Sequence, residues 1–345
     1  MKAAGRFVSA IAIVVLVVVA FYAFNVFLGM HAHARFSGTI AGLKLLHAPV
    51  SVFRDDRGVP HIIAQNEHDL FFAQGYVEGS DRLFQMDLLR RFVKGELAEV
   101  FGRSALAADE RSRAVPVRAI VGAQWRRLDA TSKETLGAFS DGVNAAMDRE
   151  TLPVEFRILA YRPRPWSPED SLAVAMATVL DLTDDWNDIE PRDAAYRKGG
   201  VAAVDARFPL SDPCYDAPVV AGLGGMGPGR ACALRVALLP TLADPRVPVG
   251  SNEWATGAQR SLTGRALLAN DPHLRLRMPG VWYLADLRAP GFHVAGATLP
   301  GEPGIVLGHN ERVAWGATDG TVASLSVFNA PAQLRADAWE TETFA

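Results

Sequence analysis

An uncharged run from Phe7 to Met30 lies near the start of this 345-residue chain and constrains it more than any other feature. A helix needs about 20 consecutive apolar residues to cross the hydrocarbon core of a bilayer, and this run supplies them. Lys2 and Arg6 precede it, and positive residues stay on the cytoplasmic side. Residues 7–30 therefore read as an uncleaved anchor in the inner membrane, with the rest of the chain periplasmic or otherwise extracytoplasmic. A cleavable signal sequence is the competing reading. Its apolar region is as a rule shorter, but Ala32-His33-Ala34 has the small residues of a cleavage site. The bland alternative, a buried core helix, does not explain why the run sits behind two positive charges at the extreme N-terminus.

Beyond that run the composition is globular: 49% hydrophobic and 21% charged, neither disordered nor collagenous. The net charge is −3 and no basic block occurs, which argues against a nucleic-acid partner. The two cysteines, Cys214 and Cys232, can be oxidised in an exported chain. Two cysteines make neither a disulfide framework nor a zinc site, and their state stays open.

The chain divides by texture into residues 1–34, the anchor or signal; 35–211, helical; 212–250, a spacer; and 251–345, strand-rich. In the helical part, Val50 to Phe53 and Val59 to Ile63 flank the turn residues Asp55-Asp56-Arg57-Gly58 and predict a hairpin. Asn66 predicts a helix cap, with Asp69 in the first turn. Gly75 and Gly79 weaken that helix or let something pack close. Thr131 and Glu134 have capping-box spacing. Ser167-Pro168-Glu169-Asp170 starts a helix expected to reach Leu182. On it, Met176, Val179 and Leu182 read as core, with the lining of an acyl pocket as the alternative. The spacer holds a formal G-x-G-x-x-G at Gly222, Gly224 and Gly227, but Pro228 follows at once and no helical pattern begins, so a dinucleotide site is not supported. After Ser251, short strands and turns alternate to about Thr318, which predicts an antiparallel sheet. Helices before the spacer and strands after it give an α+β class.

No G-x-S-x-G elbow and no H-E-x-x-H occur, so neither the usual α/β-hydrolase nor a zinc protease is indicated. What stands out is Gly250-Ser251-Asn252-Glu253-Trp254, where the spacer meets a strand, followed by Asn270-Asp271-Pro272-His273-Leu274. Taken alone, a Gly-Ser pair is a surface serine at a strand start.

Together with Arg54 to His61, Gln74-Gly75-Tyr76, Asp81 to Met86, Gly308-His309-Asn310 and Trp315-Gly316, these segments resemble the penicillin acylase family of N-terminal-nucleophile hydrolases, from about Val50 to about Phe328. The resemblance implies a four-layer αββα core with strands from both sides of a self-made cut at Gly250–Ser251, and two chains that stay together. A serine hydroxyl is a poor nucleophile until a base takes its proton. An α-amino group titrates at about 8 and suits that task. Cutting before Ser251 makes one residue both nucleophile and base, and Gly250 tolerates the backbone strain of the cut. The substrate class implied is a small-molecule acyl amide, hydrolysed through an acyl-Ser251 intermediate.

The resemblance also gives His273 a role in positioning the Ser251 amine, although a lone histidine is more often structural. It assigns Asp319, in Trp315-Gly316-Ala317-Thr318-Asp319, the backbone N–H of an oxyanion site. Asn252 and Trp254 match motif positions that shape the strand. A second oxyanion donor, an asparagine side chain, and a supporting arginine fall beyond Ala345. The sequence is thus expected to be part of a chain about twice as long, its core incomplete here. The chemistry requires no cofactor. Relatives bind a structural calcium through aspartates where Ala323 and Ser326 stand here. Asp184, Asp185, Asp188 and Glu190 could serve another part of such a site, but a solvated acidic loop is the simpler reading, and no calcium site of that kind is expected. The alternatives are an inactive truncated pseudoenzyme or membrane-anchored binding module, and a tethered hydrolase with an internal Ser-His-Asp triad that needs no cut.

Overall fold

The computed structural model describes residues 2–30, 38–182, 185–208, 250–274 and 278–318. The apolar run forms helix α1 (Lys2–Met30). Among the described residues, Ile13–Met30 is the one stretch long and apolar enough to cross a membrane, with a mean hydropathy of 2.6.

The hairpin forms as the sequence predicts. Strands β1 (Ser51–Arg54) and β2 (Pro60–Ile63) pair antiparallel. The Asp55 carboxylate closes the turn by accepting from the N–H groups of Arg57 and Val59, both at 2.9 Å. Helix α2 (Glu67–Lys94) starts at Asn66, whose side chain accepts from the Asp69 N–H, and ends at Gly95 in a left-handed conformation. Helices α3 (Ala98–Phe101), α4 (Leu106–Arg113), α5 (Val117–Arg127), α6 (Ala130–Arg149), α7 (Val154–Ile158) and α8 (Pro168–Leu182) follow. Helix α9 (Asp185–Arg207) is interrupted at Gly199 and Gly200.

Two local expectations need correction. Helix α6 is capped by Asp129, which accepts from the Ser132 N–H at 2.8 Å, and not by the Thr131 and Glu134 pair. A carboxylate also complements the positive end of the helix, which gives Asp129 the advantage over a hydroxyl two residues on. Helix α8 turns Ala173, Val174 and Ala177 inward, while Val179 is exposed and Met176 only partly buried; the side chain of Leu182 lies outside the described residues. Small residues on that face bring α8 close to its neighbours.

Glycines set the spacing of α2 against α6. A Cβ on Gly75 would sit 2.0 Å from the carbonyl oxygen of Phe139, and one on Gly142 would sit 1.9 Å from that of Phe72. The second alternative for Gly75, close approach, is therefore the one realised. The face so formed buries Phe72, Phe139 and Val143 completely.

After the spacer come β3 (Gly250–Thr256), β4 (Leu267–His273), β5 (Tyr283–Ala289), β6 (Phe292–Thr298), β7 (Leu307–His309) and β8 (Ala314–Trp315). They do not make a single antiparallel sheet. A six-stranded sheet has the order β1-β2-β5-β6-β7-β8, and β3-β4 stand as a separate pair. The β2-β5 junction is parallel, His61 lying opposite Asp286, so the larger sheet joins strands from both sides of the spacer. Alternation within a strand encodes which face is buried, not which strand lies beside it. Helix α2 covers this sheet, packing Leu70, Ala73 and Val77 against Ile62, Tyr283, Ala285 and Leu287. The α+β class stands. Of the layered core, the described residues show a helical layer on the six-stranded sheet and the separate β3-β4 pair.

Candidate active site

Ser251 occupies the second position of β3, opposite Pro272 of β4 in the antiparallel register. Successive side chains on a strand point to opposite faces. Ser251 and Pro272 therefore share one face, and Asn252, Asp271 and His273 share the other. Contacts bear this out. The Nε2 atom of His273 lies 3.0 Å from Asp271 Oδ2 and 3.3 Å from Asn252 Nδ2. Its ring is 47% exposed. The structure thus brings His273 to Asp271 and Asn252 and places Ser251 on the far side of the hairpin, so these residues as arranged do not make a Ser-His-Asp triad. Trp254 is also largely exposed.

The face carrying Ser251 opens onto a cavity of about 860 Å³. Ser251, Pro272, Leu274, Ala317 and Thr318 form one part of its wall. Leu83, Phe84, Leu88, Leu89 and Phe92 of α2, with Phe101, Val174 and Ala177, form another. Trp282, Leu299, Val306 and Leu307 contribute from the strand-rich part. The surface is overwhelmingly apolar, with Arg82, Gln85 and Glu155 among its few polar residues. The sequence offers Met176, Val179 and Leu182 of α8 as alternative pocket lining, but among the described residues the α8 positions on the wall are Val174, Ala177 and Thr178. Of those on α2, Leu83 and Phe84 fall within the Asp81 to Met86 motif, while Leu88, Leu89 and Phe92 lie beyond it.

A buried polar frame stiffens the wall behind these residues. The Asp81 carboxylate accepts from the Tyr283 hydroxyl at 2.6 Å and from Arg54 at 2.9 Å. Burial, then Asp81, pushes the Tyr283 hydroxyl well above its ordinary range, so it stays protonated and donates. Gln74 and Glu78 are fully buried. They accept from the N–H groups of Gly304 and Gly301, each at 2.9 Å, and so hold the loop between Leu299 and Val306, two cavity-wall residues, against α2.

Trp315 and Gly316 lead the chain toward Asp319. The Trp315 Nε1–H donates to the Val306 carbonyl at 3.0 Å. Asn270, read in the sequence only as a motif position, bonds both backbone groups of Ala317. Asp319, Ala323, Ser326, Cys214, Cys232 and Asp184 lie outside the described residues, as do the side chains of Asp185, Asp188 and Glu190.

Residues 49–339 match the family model described as penicillin amidase. The chain is 36% identical over 288 residues to the acyl-homoserine lactone acylase QuiP of Pseudomonas aeruginosa, covering 80% of this chain and 34% of that protein. It is 34% identical over 285 residues to the penicillin acylase 2 proenzyme of a Pseudomonas species, covering 79% of this chain and 36% of that protein. Against the penicillin G acylase of Escherichia coli it is 27% identical over 335 residues, 81% of this chain and 40% of that protein. The chain thus spans little more than a third of the length of these curated relatives. Among solved structures, a thermostable penicillin G acylase from Alcaligenes faecalis matches with a TM-score of 0.43 and 25% identity, over 51% of this chain and 98% of that one.

Proposed function

The chain belongs to the penicillin amidase family, and on that premise we propose that it carries the nucleophile of a self-processing acyl amide hydrolase, Ser251. The observation that carries this reading is the position of Ser251, at the junction of spacer and strand with its side chain on the wall of a large apolar cavity.

As an internal residue, Ser251 has an amide nitrogen that accepts no proton. In the processing step its Oγ attacks the Gly250 carbonyl carbon, the peptide bond gives way to an ester, and water hydrolyses the ester. Gly250 then ends in a carboxylate and Ser251 begins with a free amine. In turnover that amine takes the Oγ proton while Oγ bonds the substrate carbonyl carbon. The backbone N–H of Asp319 is one donor to the oxyanion. Collapse of the intermediate returns the proton to the leaving amine, and water then releases the acyl group from Ser251. The cavity walls suit an apolar acyl group, and the relatives are named as acylases. No step calls for a metal or an organic cofactor. Helix α1 is read as the membrane anchor, with the body outside the cytoplasm. His273 is kept as a helper to the Ser251 amine; that role requires its ring to leave Asp271 once Gly250 is released.

The test is expression of the full-length protein and its Ser251→Ala variant. The parent is expected to give two fragments, the second starting at Ser251, and to release nitroaniline from an apolar acyl nitroanilide. The variant is expected to remain one chain and to release none. Two fragments from the variant, or undiminished turnover, would sink the mechanism.

A further inference from the structure

We propose that Asn270 is a positioning residue that sets the gap between the nucleophile and the oxyanion-binding backbone. The inference rests on the reading of Ser251 given above and adds a part that reading does not contain.

One side-chain amide ties two backbone segments together. Asn270 Nδ2 donates to the carbonyl of Asn252 at 3.1 Å and to the carbonyl of Ala317 at 3.0 Å. Its Oδ1 accepts from the Ala317 N–H at 3.2 Å. The amide thus pairs with Ala317 as a neighbouring strand's peptide unit would, using both donor and acceptor. Asn252 follows Ser251 directly, and Ala317 precedes Asp319 by two residues. Both ends of the clamp are therefore within two residues, along the chain, of the groups proposed to react. Asn270 stands opposite Glu253 in the register, on the strand face that also carries Ser251. Gly316 makes the approach possible: a Cβ there would sit 2.8 Å from Asn270 Cγ. No other residue type offers the geometry. Aspartate lacks the donor, and glutamine reaches one methylene too far.

The clamp is solvent-accessible, so it does little for the fold as a whole. Its effect falls on alignment, and misplacing a reacting group by about 1 Å costs on the order of 100-fold in rate. Interactions made only in the transition state change kcat, whereas uniform binding changes KM.

The experiment uses the full-length processed protein, with Asn270→Ala, Asn270→Asp and Gly316→Ala. Turnover of an apolar acyl nitroanilide is expected to fall roughly 10- to 100-fold in kcat for each, with KM within about threefold of the parent. Affinity for an alkyl boronic acid, which forms a tetrahedral adduct on the serine, is expected to fall in the same ratio, while inhibition by the carboxylate product stays unchanged. If Asn270→Ala folds but is not cut, Gly316→Ala supplies the same readout from the other side of the clamp. A parent enzyme that turns over beside an Asn270→Ala variant of equal kcat overturns the clamp alone. Equal losses of boronate and carboxylate binding also overturn it, since they report a collapsed pocket. A parent with no turnover takes both readings down together.

Discussion

At the scale of single residues, the buried charges of α2 show what this sequence demands of its neighbours. Asp87 is 1% exposed and accepts four hydrogen bonds: two from Arg90, at 2.8 and 2.6 Å, one from Arg91 at 2.8 Å and one from Tyr161 at 2.8 Å. Arg90, equally buried, also reaches Asp170 at 3.0 Å and the carbonyls of Arg164 and Pro165. Burial alone would raise the Asp170 carboxyl, but Arg90 and Lys94 outweigh it and hold it below its ordinary value. Such a cluster is stable only while complete, since removing one member leaves the others charged and unsolvated. Asp87→Ala is expected to destabilise the protein by about 3–5 kcal/mol, measured by urea denaturation. A change within about 1 kcal/mol would mean that water reaches Arg90 and Arg91.

At the scale of elements, the α2–α6 pair depends on the absence of side chains at two points. Phe139 and Phe72 present their carbonyls where Gly75 and Gly142 have none. Gly142→Ala must push the helices apart, with an expected loss of about 1–3 kcal/mol or more. In a free helix the same change is worth about 1 kcal/mol of stabilisation. The sign of the shift in thermal midpoint therefore decides whether the close approach holds in solution. The caps were legible in part. Asn66 and Ser167 act within three residues of themselves, and the Ser167 N–H and hydroxyl donate to the Asp170 carboxylate at 2.9 and 3.1 Å. At α6, Thr131 and Glu134 have the spacing of a capping box, but Asp129 lies two residues earlier and its charge makes the stronger cap.

At the scale of the whole molecule, the regions on either side of Gly250–Ser251 are joined by more than the peptide chain. The β2-β5 ladder, the Tyr283–Asp81 bond, the bonds of Arg82 and Gln85 to the Gly280 carbonyl, and the Gln74–Glu78 seat under the loop after Leu299 all cross that divide. The two chains are therefore expected to remain associated after processing. Two carboxyls near this seam are expected to make stability pH-dependent. Burial, opposed in part by the Gly301 N–H and Gln74, raises Glu78 from 4.5 to about 8. Burial raises Glu302 to about 7. The folded state thus holds protons that the unfolded state releases, so stability is greatest below about pH 4.5 on this account and declines as pH rises through 7 and 8. The thermal midpoint is expected to fall between about pH 6 and pH 9, and Glu78→Gln to flatten that slope. A slope unchanged in the variant would place the titration elsewhere.

The sequence by itself determined what acts over short range: the hairpin at Asp55, the caps at Asn66 and Ser167, the apolar run of α1, and the strand start at Ser251. Each depends on residues that remain neighbours whatever the rest of the chain does. Only the tertiary structure decided that β2 runs parallel to β5, that α2 and α8 wall a cavity beside Ser251, and that Asn270 clamps Ala317. It also placed His273 and Ser251 on opposite faces of the hairpin, because pairing β3 with β4 in this register leaves His273 one position out of phase with Ser251. These outcomes depend on partners far apart in the chain, and a local pattern states which face is apolar without stating what will cover it.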